Sequence, residues 1–349
     1  MMEMGVLMFA SPKDTVTTAK TMEQLDFDSM VLADTQCLTP EVWSQLMLVA
    51  VNTDKIEIGT GVTNPVSRDP AVTASAALGI QIQSGGRLVI GIGRGDSSMG
   101  KIGSKPASPV LFETYIRQLR DYLDGKEVDR HGNPSRIEWL DQCEVPYVPI
   151  EVAATGPKVI ELAARAADRI CFAVGADEER LADCIARARD AAAAAGRDPD
   201  QLKLGAYINC VIHPDESVAR SAIRGGLSVF AHFSGFKGMD ISALPDYVKN
   251  AAGHLRDGYD MRDHARADGA NAQALDHQFI HRFGIAGSAE MAEQRLRNLK
   301  ALGLDFLRVV PGSKDAPREV LTGSMLALSQ LKTKLKDERS DDVSLSSGV

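Results

Sequence analysis

The sequence predicts an α/β protein folded as a (β/α)8 TIM barrel, and three observations lead there. Short apolar runs alternate with longer amphipathic ones along most of the chain. The alternation passes through eight strand–helix units. Glycines and polar residues gather in the breaks that follow the apolar runs. Repeated strand–helix alternation calls for a parallel sheet covered by helices, since parallel strands need a crossover between them. With eight units the sheet closes on itself. A doubly wound open sheet is the alternative, but the first strand–helix turn, "FASPKD", has no glycine fingerprint.

The units follow in order. "MGVLMF" (4–9) reads as the first strand and 14–26 as its helix. "SMVLA" (29–33) is the second strand, and "TPEVWSQLMLVAVN" its helix, with Thr39 as cap and Pro40 at the first position. "KIEIGTGV" is the third strand, and "DPAVTASAALGIQIQ" a helix capped by Asp69 ahead of Pro70. "RLVIGIG" is the fourth strand, with a helix over 108–124. "VPIEVAA" and "GPKVIELAARAA" form the fifth unit, and "DRICFAV" and 176–195 the sixth. "LKLGAYINCVI" and 214–230 form the seventh, and "LDFLRVV" (304–310) and 314–336 the eighth.

Two segments interrupt this pattern. Residues 125–147 read as a hairpin or loop insertion before strand five. Residues 231–286 form a longer, polar, helix-prone insertion between strands seven and eight. It carries His232, His254, His264, His277 and His281, of which His232 and His281 are the ones to watch. A segment of that length is usually a lid or an interface. The expected organisation is one domain over 1–336, with 231–286 as a helical lid and 337–349 as a disordered polar tail.

Composition narrows the function classes. Hydrophobic residues make up 44% and charged residues 25%, the balance of a soluble globular protein. A net charge of -8 without a basic run excludes a general nucleic-acid binder. No apolar stretch is long enough for a membrane span, and the start lacks a signal-peptide pattern, so a cytoplasmic protein is expected. The five cysteines are scattered and read as reduced, mostly buried thiols. No cluster has zinc-site spacing, so no metal is expected.

In a barrel the chemistry sits where strands end. The third strand ends in "IGTGVTNPVSRDP", where Gly59 and Gly61 weaken the strand and suggest that something large and flat lies against its backbone. The second strand ends in Asp34, either a helix-entry cap or a site residue. The fourth ends in "GIGRGDSS". Its Gly93 and Gly95 allow close backbone approach, and its Asp96 is either a cap or a proton donor in a dry pocket. The fifth ends in "AATGPK", where Ala154, Thr155, Gly156, Pro157 and Lys158 open a helix. This is either an ordinary turn or a cup for phosphate.

Taken together, "GTGVTNPVSRDPAVTASAAL", "SGGRLVIGIGRGDSS" and "IEVAATGPKVIELAARAADRI" resemble the bacterial luciferase-like superfamily, and within it the coenzyme F420-dependent branch. The resemblance extends through "AYINC" and "HRFGIAGSAEMAEQRLRNLKALGLD". It implies a non-prolyl cis peptide at Gly61–Val62 backing the ring of a deazaflavin or flavin. By the same likeness Thr63 belongs to the ring-backing bulge, Asn64 bonds the ring's edge, Asp34 contacts the ring, residues 154–158 hold the phosphate, and Asp96 donates a proton. It also implies a homodimer through helices two and three. "VWSQLMLVAV" suits that role or a place in the barrel core.

Three departures limit the substrate. Thr35 stands where family members carry histidine after the aspartate. "CFAVGADEE" replaces the phosphate ligands of the family's sugar-phosphate dehydrogenase, and "LMFA" lacks the acidic residue of its pterin reductase. The resemblance implies F420-dependent hydride transfer to or from an unidentified small organic substrate, and the departures reject a sugar phosphate and weigh against a pterin. The alternatives are an FMN-dependent monooxygenase using reduced flavin and oxygen, and a cofactor-free binding protein on the same barrel.

Overall fold

A computed structural model describes residues 2–234 and 246–346, apart from the side chains of 256, 257 and 337–346. The eight expected strands are β1 (Glu3–Met8), β2 (Ser29–Leu32), β3 (Glu57–Thr60), β4 (Leu88–Ile92), β5 (Ile150–Ala154), β6 (Arg169–Phe172), β7 (Lys203–Ile212) and β8 (Phe306–Val310). Their order is β7-β8-β1-β2-β3-β4-β5-β6, and β6 also pairs with β7, which closes the sheet into a (β/α)8 barrel. The chain divides into two compact units. One is Gly5–Cys171 with Cys184–Leu204; the other is Met1–Met4 with Phe172–Asp183 and Gly205–Val349.

The first unit holds β2 to β5 in parallel register, with Leu32 opposite Thr60, Gly59 opposite Val89, and Ile92 opposite Val152. Its helices include α1 (Thr15–Gln24), α2 (Val42–Ala50), α3 (Pro70–Gln83), α4 (Asp96–Lys101), α5 (Pro109–Leu123) and α6 (Pro157–Ala166). α7 (Glu178–Ala194) follows β6. α3 starts as expected, with the Asp69 carboxylate accepting from the Ala71 amide and Pro70 in the first turn. α2 starts later than expected. Its cap is Glu41, which accepts from the Trp43 and Ser44 amides, while the Thr39 hydroxyl turns back to the Ala33 and Thr35 carbonyls. Residues 125–147 hold the antiparallel hairpin Val128–Arg130 with Asn133–Ser135.

Polar ties close the strands' N-terminal ends in this unit. Arg87 donates to the carbonyls of Ala50, Thr53, Ile56 and Ser84 and to the Thr53 hydroxyl. Arg169 forms a two-armed ion pair with Glu57 at 2.9 and 2.8 Å, joining β6 to β3. Glu23 Oε1 accepts from the amides of Asp54, Lys55 and Ile56.

In the second unit β7 and β8 pair in parallel, and a short strand missed in the sequence, Ile285–Gly287, extends β7's other edge. Three residues of "GIAG" carry too little alternation to register as a strand. Helices α8 (Glu216–Phe233), α9 (Asp246–Asp257), α10 (Ala270–Gln273) and α11 (His277–Phe283) pack around Val211, Ile223, Leu227, Val248, Leu255, Phe279 and Phe283. The segment 231–286 holds the end of α8, α9 to α11 and the first two residues of that short strand, and 235–245 lie outside the described residues. α12 (Ala289–Ala301) precedes β8, and α13 (Arg318–Ser346) follows it. The backbone helix of α13 runs past 336, to Ser346. No proline interrupts 318–346, so the backbone turn continues through the charged stretch. Residues 347–349 lie outside the described residues.

Candidate active site

The site is built from the C-terminal rim of β2 to β5, all within the first unit. β3 does not stop cleanly at Thr60. The Thr60 hydroxyl donates to the Gly91 carbonyl at 2.6 Å, and the Thr63 amide reaches the same carbonyl at 2.9 Å. Gly61 and Val62 are looped out between them, and the Gly61–Val62 peptide is cis. Pairing then resumes, with the Gly93 amide donating to the Thr63 carbonyl at 2.9 Å.

The glycines around this bulge make room for the protein itself. A Cβ on Gly91 would lie 2.0 Å from the Thr60 carbonyl oxygen, and one on Gly93 would lie 2.9 Å from Val62 Cγ2. A Cβ on Gly61 would meet Leu7 and Val31 side-chain atoms at 2.6 and 2.7 Å. A side chain at Gly59 or Gly61 would strike the neighbouring strands, so close strand packing is one reason for both glycines.

Asp34 lies just past β2 and is 7% exposed. Its Oδ2 accepts from the Thr63 hydroxyl at 2.7 Å, and its Oδ1 from Gln36 Nε2 at 3.4 Å. Burial pushes its pKa up. The Thr63 hydrogen bond and the Arg68 guanidinium pull it down, Glu41 adds to the rise, and the net shift is upward. Asp34, Gln36, Glu41, Ser67, Arg68, Asp69 and Val72 line a cavity of about 530 Å³. In its wall Arg68 pairs with Glu41, and Arg130 reaches Asp69 at 2.5 Å.

Asn64 is fully buried and committed to its own loop. Its Oδ1 accepts from the Val66 and Ser67 amides, and its Nδ2 donates to Ser98 Oγ at 3.3 Å. This side-chain oxygen already holds the turn, so the expected bond to a ring edge has no support in this geometry. Asp96 is exposed at the first position of the short helix α4, preceded by Gly95 at φ 93°. Asp96 opens α4 four residues after β4, and the protein's own side chains do not bury it.

β5 ends beside β4, and a Cβ on Gly93 would lie 3.9 Å from that of Ala153. Ala154 is buried; Thr155 and Gly156 are half-buried, and Pro157 and Lys158 exposed. α6 has no side-chain cap, and a Cβ on Gly156 would meet nothing within 4 Å. Among the described residues the amides of Thr155, Gly156 and Lys158 make no protein hydrogen bond. A ten-residue helix with an uncapped N-terminus and open amides suits an anion.

A family model described as luciferase-like monooxygenase matches residues 3–305. The chain belongs to the luciferase-like monooxygenase family. It is 27% identical over 315 residues to the 5,10-methylenetetrahydromethanopterin reductase of Methanolobus tindarius, covering 86% of this chain and 90% of that one. Its fold matches the coenzyme F420-dependent tetrahydromethanopterin reductase from Methanopyrus kandleri, with a TM-score of 0.72, 22% identity and coverage of 94% and 97%. It also matches a monooxygenase from Streptomyces bottropensis, with a TM-score of 0.66, 19% identity and coverage of 94% and 98%. The chain is an oxidoreductase of the luciferase-like family.

For this luciferase-like oxidoreductase, sequence reasoning missed Gln36, Glu41 and Arg68, the polar wall beside Asp34. Their signal was the proximity of "TQCLTPE" and "VSRDP" to two adjacent strand ends. The watched histidines are elsewhere. His232 donates from Nδ1 to the Leu255 carbonyl and stacks on Tyr259 at 4.0 Å, and His281 is exposed. Cys171, Cys184 and Cys210 are buried, but Cys37 and Cys143 are exposed. Among the described residues no His/Cys/Asp/Glu group is arranged to hold a metal, and no helix is long and apolar enough to cross a membrane.

Proposed function

We propose that this oxidoreductase uses coenzyme F420 to exchange a hydride with a small organic substrate. The observation that carries the reading is the pairing, on one rim, of a buried carboxyl held against the β3 bulge and an open cradle of amides at the start of α6. Likeness to the F420-dependent reductase supports the choice of cofactor. The residues suit a phosphate-bearing redox cofactor: the amides of Thr155, Gly156 and Lys158 would hold the phosphate, and Val62 and Thr63 would back the ring.

A bound deazaflavin supplies or accepts the hydride at its C5. The protein's residues do the rest. Thr63 orients the Asp34 carboxyl, and Asp34 holds a proton close to the bulge. Asp34 takes the acid role expected of Asp96, since the barrel buries one and exposes the other. The same reading includes a homodimer through α2 and α3, around the exposed Leu48, Val51 and Ile82.

The second reading, an FMN-dependent monooxygenase, is favoured by the likeness to the Streptomyces protein. Anaerobic incubation with reduced F420 and a panel of enones, imines and ketones separates the two. Substrate-dependent oxidation of reduced F420 is expected. Oxygen uptake with reduced FMN, and no reaction with reduced F420, would transfer the chain to the second reading.

A further inference from the structure

We propose that Asp34 exchanges its proton with solvent through the cavity between the loops after β2 and β3, and that Thr63 is the positioning residue that holds its carboxyl between that cavity and the bulge. The inference rests on the reading of the rim as a hydride-transfer site, where a proton must arrive or leave to balance the hydride.

The carboxyl faces two environments. Oδ2 is turned to Thr63, which is fully buried and pinned to β4 through both its amide and its carbonyl. Oδ1 is turned to Gln36, which belongs to the cavity wall. A cavity of about 530 Å³ is spacious for water, at about 30 Å³ per molecule. The polar groups of Gln36, Ser67 and Arg68 in its wall would hydrogen-bond such water. No histidine lines it, and Thr35 follows Asp34 in the chain.

Every charged group facing Asp34 has a defined sign. Glu41 on the α2 side raises its affinity for a proton, and Arg68 on the β3 side lowers it. Asp69 is paired with Arg130. Tyr115 on α5 shares a 2.6 Å hydrogen bond with Thr73, and its own pKa is pushed up to about 12, chiefly by burial. It therefore stays neutral while Asp34 titrates. Asp34 gives its proton from one oxygen to the reacting group and is left as a carboxylate, and a proton taken up from bulk solvent and relayed through the cavity's water restores the carboxyl, leaving the water unchanged. Charge and atoms balance without another reactant.

The test uses cofactor-free protein labelled with carboxyl-¹³C aspartate, with the Asp34 signal assigned by its loss in Asp34→Asn. The expected midpoint lies above that of an ordinary aspartate. Thr63→Val raises it further, and Thr63→Ser restores it. Arg68→Met raises it and Glu41→Gln lowers it, so the two surface variants keep the test alive should Thr63→Val fail to fold. An ordinary midpoint in the parent protein, or one unmoved by all three of Thr63→Val, Arg68→Met and Glu41→Gln, overturns the proposal.

The route is tested separately by coupling carboxyls to glycine ethyl ester with a water-soluble carbodiimide and mapping the sites by mass spectrometry. Narrowing the cavity with Val72→Trp should slow modification of Asp34 several-fold and leave exposed Asp96 unchanged. Equal rates at Asp34 in both proteins overturn the route. Neither readout involves F420, so failure of the cofactor reading shows up on its own in a binding titration.

Discussion

Glu23, near the N-terminal ends of the strands, and Asp34, at their C-terminal ends, are carboxylates of the same unit, and their surroundings move them in opposite directions. For Glu23, burial pushes upward, but three backbone amides and Arg87 outweigh it, and its pKa falls below the ordinary value. For Asp34, burial prevails over one hydroxyl and a more distant guanidinium, and its pKa rises. The first arrangement supports the fold. The second holds a proton more tightly than an ordinary aspartate and costs stability once it ionises, which is the pattern expected where a barrel does chemistry.

The comparison breaks first at turnover. Asp34→Asn keeps an acceptor for Thr63 but cannot deliver a proton. Its turnover with reduced F420 should fall by about 10²- to 10⁴-fold, the usual contribution of a general acid. Cofactor affinity measured in the same protein should change little.

Arg87→Met should do the reverse. It strips donors from four carbonyls and a hydroxyl, and leaving buried acceptors unpaired costs about 3 kcal/mol in all. Denaturant unfolding should register that loss, while F420 affinity at room temperature stays put.

The pH dependence of stability sharpens the contrast. Glu23 has a lowered folded pKa, so its contribution is present above the carboxylate range and is lost as pH falls through that lowered value. Glu23→Gln should cost about 1 kcal/mol at pH 7, with the difference closing in acid. Asp34 has a raised folded pKa, so its contribution is full below the ordinary aspartate range and is lost as pH rises through the raised value. Asp34→Asn should therefore match the parent in acid and exceed its melting temperature at pH 8.

The smallest effect is expected at the cradle's charge. Lys158→Ala should weaken F420 binding by no more than about 1 kcal/mol, because the side chain is exposed and the amides remain.

Much of this was legible in the sequence because strands and helices write distinct periods into it. Asp69 ahead of Pro70 marked the start of α3 by chemistry that needs no tertiary context. The Asp34–Thr63 contact was not legible as a pair, since it depends on the register of β2 against β3 and on two residues looped out of the ladder. Asp96 and Asn64 were singled out by motif, yet their environments follow from the short helix α4 and the turn after Asn64. The glycines of the bulge also answer to neighbouring strands, which their spacing in the sequence does not show, and Gly156 faces open space.

The account stands most directly on an equilibrium titration of the purified protein with F420, followed by the cofactor's fluorescence, with FMN as competitor. Saturable micromolar binding that FMN displaces poorly is the predicted result. Binding of neither cofactor at such concentrations would contradict the assignment of the β2–β5 rim as a redox site and leave the barrel without this chemistry.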